Sequence, residues 1–304
     1  MKSARRLLRT LLLVQLGAAA LIAWALTARA GIAPWQAALI GLACVALVRL
    51  LINMNNFAMA GWFASATPSA FRLGPKARLR LLAEEFKASM LVTSWQVPRA
   101  CAATRIHPDS RHVPVLLLHG YGCNSGYWTH LTPLLDAARI SHASVDLEPV
   151  AGSIDAYVPL VEKAVQDLCA RTGAQKIAIV AHSMGGLVAR AWMRDHGTRR
   201  VARVLTLGTP HHGTALARFG LGQNAFQMRP GSPWLQALAQ GEDAATRALV
   251  TSLYTHHDNI VAPQESSRLP GARNLEFGGI GHVALGSNPR VLAAVMEELA
   301  ALVS

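Results

Sequence analysis

The sequence predicts an α/β fold, a mostly parallel sheet with helices on both faces, preceded by an N-terminal helical membrane hairpin. Three observations carry this expectation. From Val113 onward, short apolar runs alternate with amphipathic stretches of helical period, as when strands are covered on both faces by crossover helices. Near the N-terminus, Thr10–Ala28 and Gly31–Val48 are free of charge over 19 and 18 residues. Each is long enough to cross, or nearly cross, a hydrocarbon core of about 30 Å. Charge is also unevenly spread. The chain of 304 residues carries 29 Lys+Arg against 17 Asp+Glu, a net +12. Ten of those basic residues and none of the acidic ones fall within residues 1–80. The rest, with 19 basic against 17 acidic, is nearly neutral, which argues against a nucleic-acid surface. At 52% apolar and 15% charged, the chain can bury a sizeable core.

The sequence divides into a membrane anchor with two transmembrane helices (1–55), a linker or interfacial segment (56–110) and a catalytic domain (111–304). In the anchor, Gly31–Pro34 makes the turn, and Pro34 costs little at a helix start because that N–H is unpaired anyway. The basic run Lys2–Arg9 and the later Arg49 and Arg72–Arg80 favour a cytoplasmic location for both ends, with Arg29 on the far side. The expectation is a multi-pass protein of the bacterial inner membrane with its catalytic domain facing the cytoplasm, the periplasmic side being the alternative. A secretory signal reads the same stretch differently, with Ala28-Arg29-Ala30 as a cleavage site. Against it stand the length of the first apolar stretch and the second that follows at once. Residues 50–80, with Trp62, Phe63 and Phe71 before Arg and Lys, suit a membrane surface. The four cysteines show no CxxC spacing and read as free, largely buried thiols.

The elements follow in order. Arg78–Val92 reads as a helix, Val113–Leu118 as a strand, Leu131–Ala138 as a short helix and Ala143–Leu147 as a strand. Ser153 opens a long amphipathic helix that Gly173 stops. Ile177–Ala181 is a strand, Met184–Asp195 a helix, and Val201–Leu207, Val250–Tyr254 and Leu275–Phe277 are strands. Asn288-Pro289 begins a final helix reaching Leu302.

Chemistry concentrates at Ala181-His182-Ser183-Met184-Gly185-Gly186, between an apolar strand and a helical pattern. A serine at such a tight turn projects its hydroxyl above the sheet, and small neighbours let the backbone fold back. A serine hydroxyl needs a base, and the base needs an orienting acid. Asp258 follows a predicted strand, and among the twelve histidines only His282 lies beyond it. Asp258 and His282 therefore complete a catalytic set with Ser183 as nucleophile; Asp243 and Glu265 are the substitute acids. All three loops leave strand C-termini, the edge where such sheets place their sites. Oxyanion donors come from the backbone N–H of Met184 and of Tyr121 in His119-Gly120-Tyr121-Gly122, with His119 bracing that loop.

From about residue 110 to its end the chain resembles the bacterial lipase and esterase branch of the α/β-hydrolases. The resemblance rests on His119-Gly120-Tyr121-Gly122, the Ser183 turn, Leu207-Gly208-Thr209-Pro210, Asp258-Asn259-Ile260-Val261 and Gly281-His282. The Ala181 variant of the turn and Arg268–Asn274 leading to Gly279-Ile280-Gly281-His282 are similar to small Bacillus-type lipases. It implies the α/β-hydrolase fold, the triad Ser183, Asp258 and His282, and the oxyanion donors Tyr121 and Met184. Those lipases lack an N-terminal hairpin. The longer stretch between Leu207 and Val250, with Phe219, Leu221, Phe226 and Trp234, reads as a lid or acyl wall, or equally as surface helices packed on the sheet.

The expected function is cleavage of lipid-like acyl esters by a membrane-anchored serine hydrolase, with lipid or small acyl-ester substrate and bilayer as partners and no nucleic acid. The alternatives are a thioesterase or acyltransferase with the same triad, or a non-catalytic scaffold. No cofactor or metal is expected: His211-His212 and His256-His257 are adjacent pairs whose side chains diverge in extended chain, and no HExxH or calcium loop is present.

Overall fold

A computed structural model describes residues 3–302. Helix α1 (Ala4–Ala30) ends at Gly31, whose left-handed φ of 65° lets its N–H bond back to the Leu26 carbonyl, the closure that glycine makes cheaply. Helix α2 (Pro34–Trp62) starts on its proline. Both helices are long and apolar enough to cross a membrane by length and composition, with mean hydropathy 2.0 and 2.2. They pack on each other, with Ala19, Ala37 and Gly41 among their few buried residues. Leu13, Trp24, Trp35, Leu39 and Ile52 stay exposed. Helix α2 continues well beyond Val48, through residues read from sequence as linker. Leu50–Ala60 holds neither Gly nor Pro, and its asparagines cost only fractions of a kcal/mol each in a helix (about 0.7 or less). Arg49 docks just before this stretch, reaching Ser94 Oγ at 2.5 Å and Thr93 Oγ1 at 3.2 Å, and within it Asn53 and Ala60 are buried where α2 meets the rest of the fold.

Helix α3 (Pro75–Leu91) follows and loosens into a π-helical turn, Val92–Gln96. The sheet has seven strands: β1 (Thr104–Arg105), β2 (Val115–Leu118), β3 (His142–Val145), β4 (Ile177–His182), β5 (Val201–Leu207), β6 (Val250–Thr255) and β7 (Arg273–Phe277). Their spatial order is β1-β3-β2-β4-β5-β6-β7. All neighbours pair in parallel except β1, which runs antiparallel to β3. Parallel pairing follows from the helical crossovers, whose length forbids a tight hairpin. The two-residue β1 was absent from the sequence reading: both its residues are exposed, so no apolar pattern marks it.

Alternate residues of the central strands feed two cores. Leu116, Leu118, Ile179 and Ala181 pack beneath the helices Val158–Thr172 and Met184–His196. Val115, Leu117, Ala178 and Val180 face Leu131, Leu135 and the last helix, Pro289–Ala300. Fully buried on both faces, these strands read as unbroken apolar runs.

Three expectations need correction. The helix assigned to start at Ser153 begins at Val158, after a 3-10 turn at Asp155–Tyr157. Pro159 lacks the N–H that would bond four residues back, so an α-helix cannot run through its first turn from Ser153; the Ser153 carbonyl accepts Ala156 N–H instead. All four cysteines are free, but none is fully buried and Cys101 is exposed. The stretch after β5 is neither all lid nor all surface packing. Ala217, Met228, Leu235 and Leu238 join the core, whereas Phe219, Leu221 and Phe226 are 67%, 75% and 55% exposed.

Candidate active site

Because β2, β4, β6 and β7 are parallel, the loops after them emerge at one edge of the sheet, and these carry Tyr121, Ser183, Asp258 and His282. The turn after β4 is the most strained of these connections. Ser183 has φ 53° and ψ −125°, a region costing a non-glycine residue of order 1–3 kcal/mol. Three bonds hold it there: Ser183 N–H donates to the Leu207 carbonyl (2.8 Å), and the Ser183 carbonyl accepts from Gly186 N–H (3.1 Å) and Thr209 Oγ1 (2.8 Å). The helix Met184–His196 starts immediately behind, placing its positive end at the hydroxyl.

Asp258 and His282 meet at this edge. His282 Nδ1 lies 2.7 Å from Asp258 Oδ2, and both side chains are buried. The other oxygen, Oδ1, accepts the N–H groups of Ile260 and Val261 at 2.8 and 2.7 Å, so the carboxylate cannot rotate away. His282 N–H donates to Asn259 Oδ1 at 3.0 Å, and Thr255 Oγ1 donates to the Ile280 carbonyl at 2.9 Å. Burial pulls the His282 pKa down, but the charge and hydrogen bond of Asp258 outweigh it and the net direction is up. With Nδ1–H held by Asp258, Nε2 is the nitrogen left to carry a proton. Among the described residues, the Ser183 hydroxyl has no hydrogen-bond partner; such contacts are often long before substrate binds.

His182 stacks on Tyr127 with ring centroids 3.9 Å apart, and its Nε2 lies 3.2 Å from the His282 carbonyl. Burial, then the nearby His282, push its pKa well below the ordinary value, so it is neutral and donates there. His119 is the brace the sequence suggested. Its Nδ1 lies 2.8 Å from the Gly120 carbonyl and its Nε2 accepts Leu147 N–H at 2.8 Å, while burial lowers its pKa. Tyr121 is 38% exposed, and its hydroxyl donates to the Leu221 carbonyl (2.7 Å) and accepts Leu221 N–H (3.1 Å). Met184 is buried at the start of the helix.

The substitute acids fall away from this group. Asp243 is exposed and caps a helix through Thr246 N–H, and Glu265 is exposed on a turn. Gly208, part of the Leu207–Pro210 motif, has a role that sequence did not reveal. Its φ is 57°, and a Cβ there would stand 3.1 Å from Asp258 Oδ2 and 3.2 Å from His282 Nδ1. Glu85 on helix α3 was not singled out either. It is fully buried, with Oε1 accepting Val283 N–H and Oε2 accepting Ala284 N–H, both at 2.9 Å. A charged residue at a buried position of an otherwise amphipathic helix was the only sequence signal for it.

A cavity of about 510 Å³ lies between α2, α3 and the loop after β6, lined in part by Met54, Phe57, Gly61, Leu82, His257 and Asp258. Among the described residues one group of potential metal ligands occurs, His107, Asp136 and His142, with ligand atoms within 4.8 Å of one another. His107 Nε2 is already held by Asp136 (3.0 Å) and His142 Nδ1 by the Ile140 carbonyl (2.9 Å). His142 begins β3, at the edge of the sheet opposite Ser183, so the group is no part of this site.

Residues 113–229 match the family model described as the alpha/beta hydrolase fold. Triacylglycerol lipases of Pseudarthrobacter phenanthrenivorans and Burkholderia plantarii are each 42% identical to this chain over 55 residues. Those matches span only 17% and 15% of the curated relatives' own length and 18% of this chain. The mature form of a Bacillus licheniformis lipase superposes with a TM-score of 0.58 at 20% identity, covering 66% of this chain and 97% of that one. Lipase B of Aspergillus fumigatus gives 0.57 at 18% identity, over 66% of this chain and 57% of that one. Matched in sequence over residues 113–229 and in fold across two-thirds of its length, the chain has the α/β-hydrolase fold, and it is similar to lipases of bacteria and of a fungus.

Proposed function

We propose that the protein is a membrane-anchored serine hydrolase that cleaves lipid-like acyl esters through an acyl-enzyme. The observation that carries this reading is the pairing of a strained Ser183 turn with the 2.7 Å His282–Asp258 contact at the same sheet edge. Ser183 Oγ attacks the ester carbonyl while His282 Nε2 takes its proton and then passes it to the leaving alcohol. Asp258 fixes the ring and stabilises the imidazolium. The N–H groups of Met184 and Tyr121 receive the oxyanion, each worth about 3 kcal/mol in the transition state. Water then repeats the sequence on the acyl-enzyme.

Apolar surface supports a lipid-like substrate and a bilayer partner. Phe219, Leu221 and Phe226 are exposed on the segment tied to Tyr121, a patch that water alone does not favour. The apolar sides of α1 and α2 lack any cover within the fold, which fits helices that face lipid. Arg9 Nε donates to the Pro98 carbonyl at 2.9 Å and Arg49 to Ser94. The start of α1 and the middle of α2 thus dock on the segment leading into the sheet, which supports a hairpin with both ends on the side of the catalytic domain. The excess of basic residues there favours the cytoplasm.

The test is turnover of p-nitrophenyl acyl esters by the full chain in detergent micelles, with product analysis in the presence of competing alcohols and thiols. Hydrolysis by the wild type and loss of at least about 10⁴-fold in Ser183→Ala is the expected result; equal rates in both proteins would refute the assignment.

A further inference from the structure

We propose that Glu85, outside the family-matched region, is a positioning residue for His282: its carboxylate clamps the backbone on which the histidine stands and adds a second negative charge beside that of Asp258. The proposal rests on the serine-hydrolase reading. Its starting point is a buried acid that the triad does not use.

His282 is followed at once by a 3-10 turn, Val283–Gly286. The first N–H groups of such a turn have no partner within it, and here they point into protein rather than water. Glu85 satisfies two of them, Oε1 taking Val283 N–H and Oε2 taking Ala284 N–H, both at 2.9 Å. A helix from one part of the chain thereby caps a turn nearly 200 residues away. The fit is close on the other side of His282 as well. A Cβ at Gly281 would run into the Glu85 carboxylate, so residue 281 must be glycine for the acid to sit where it does. Residues 281, 283 and 284 all touch one carboxylate, and the histidine is the residue between them.

The electrostatics of the site set two effects against each other. Burial and the neighbouring charge of Asp258 raise the Glu85 pKa, while the two backbone N–H bonds and His282 favour its charged form; the net direction is up. The groups facing His282 are Asp258 from the loop after β6, Glu85 from α3 and His182 at the end of β4, with Tyr127 stacked on the far side of His182. His182 is neutral, and burial holds the Tyr127 phenol protonated. Of these groups, the two carboxylates are the ones able to bring negative charge. Since His282 becomes a cation as Ser183 is attacked, both stabilise the proton-transfer step.

The experiment uses full-length protein in lipid nanodiscs, comparing wild type, Glu85→Gln, Glu85→Asp and a control, Glu84→Gln, on the exposed side of α3. Ester turnover is measured as a function of pH, and the His282 ring is titrated by NMR in histidine-labelled protein. Glu85→Gln keeps the shape but loses the charge and one acceptor. It is expected to lower kcat about a hundredfold with KM within about twofold. It should also move both the acid limb of kcat/KM and the ring titration to lower pH. Glu85→Asp keeps the charge with a shorter reach, so its ring titration should stay near wild type while kcat drops in part; the control should match wild type throughout. Wild-type kcat and ring titration in Glu85→Gln would overturn the proposal. So would a lower kcat with an unmoved titration and pH profile, the mark of a role in folding only. A wild type inactive on every ester, combined with a ring titration still lowered in Glu85→Gln, would refute the hydrolase reading and leave the hold of Glu85 on His282 standing.

Discussion

At the residue scale, the site is built by backbone as much as by side chains. Gly208 makes the point: the Asp258–His282 pair lies against it, and its positive φ excludes a comfortable side chain. Gly208→Ala should cost about 1–2 kcal/mol of backbone strain and displace the pair, lowering kcat/KM by roughly tenfold or more; a melting curve and ester kinetics on the same preparation check both. The acid–base pair also sets a pH dependence with a definite sign. His282 must be neutral to accept the Ser183 proton, and its pKa is raised above the ordinary 6.5. Activity should therefore fall on acidification with an apparent pKa above 6.5. Asp258→Asn should move that limb to lower pH while cutting kcat by about 10⁴, which a kcat/KM profile from pH 5 to 9 would read. The candidate triad was legible in sequence because the loops that carry Ser183, Asp258 and His282 each follow an expected strand, and only one histidine lies beyond Asp258. The role of Gly208 was not, since it depends on two side chains some 50 and 74 residues away.

At the element scale, the helix behind Ser183 is pinned by a buried ion pair. Arg190 Nε and Nη2 meet Glu242 Oε1 and Oε2 at 2.6 and 2.7 Å, with side-chain exposures of 1% and 3%. Removing one partner leaves a buried charge without compensation, so Glu242→Ala should cost about 3–5 kcal/mol and shift the urea midpoint without touching the triad directly. The strands β4 to β6 were readable almost to the residue because their burial leaves long apolar runs, whereas β7, exposed or half-buried throughout, starts at Arg273, two residues before the expected Leu275. Helix boundaries were less so. Pro159 delayed one helix by five residues relative to its apparent cap, and α2 outran its apolar window, its later turns burying Asn53 and Ala60 against the fold. Strand β1 carries no apolar signature, so no reading of periodicity finds it.

At the scale of the whole molecule, the N-terminal third is more than a leash. Helices α1 and α2 expose apolar surface along most of their length, and α3 reaches the loop of His282 through Glu85. The full chain should stay in the membrane pellet after alkaline carbonate washing, whereas a chain lacking residues 1–62 should be released; release of the full chain would contradict anchoring. The hairpin was legible as two charge-free stretches. The contact between α3 and the active-site loop was not, because a single acid in an amphipathic helix looks like any solvated residue until its partners are placed. All of this turns on Ser183 acting as a nucleophile. Fluorophosphonate labelling of the full chain, read by mass spectrometry of the modified peptide, tests that most directly. The expected result is one covalent adduct, on Ser183, abolished in Ser183→Ala and suppressed in His282→Asn. Undiminished labelling of Ser183→Ala, or no adduct on Ser183 in a wild type that hydrolyses esters, would contradict it.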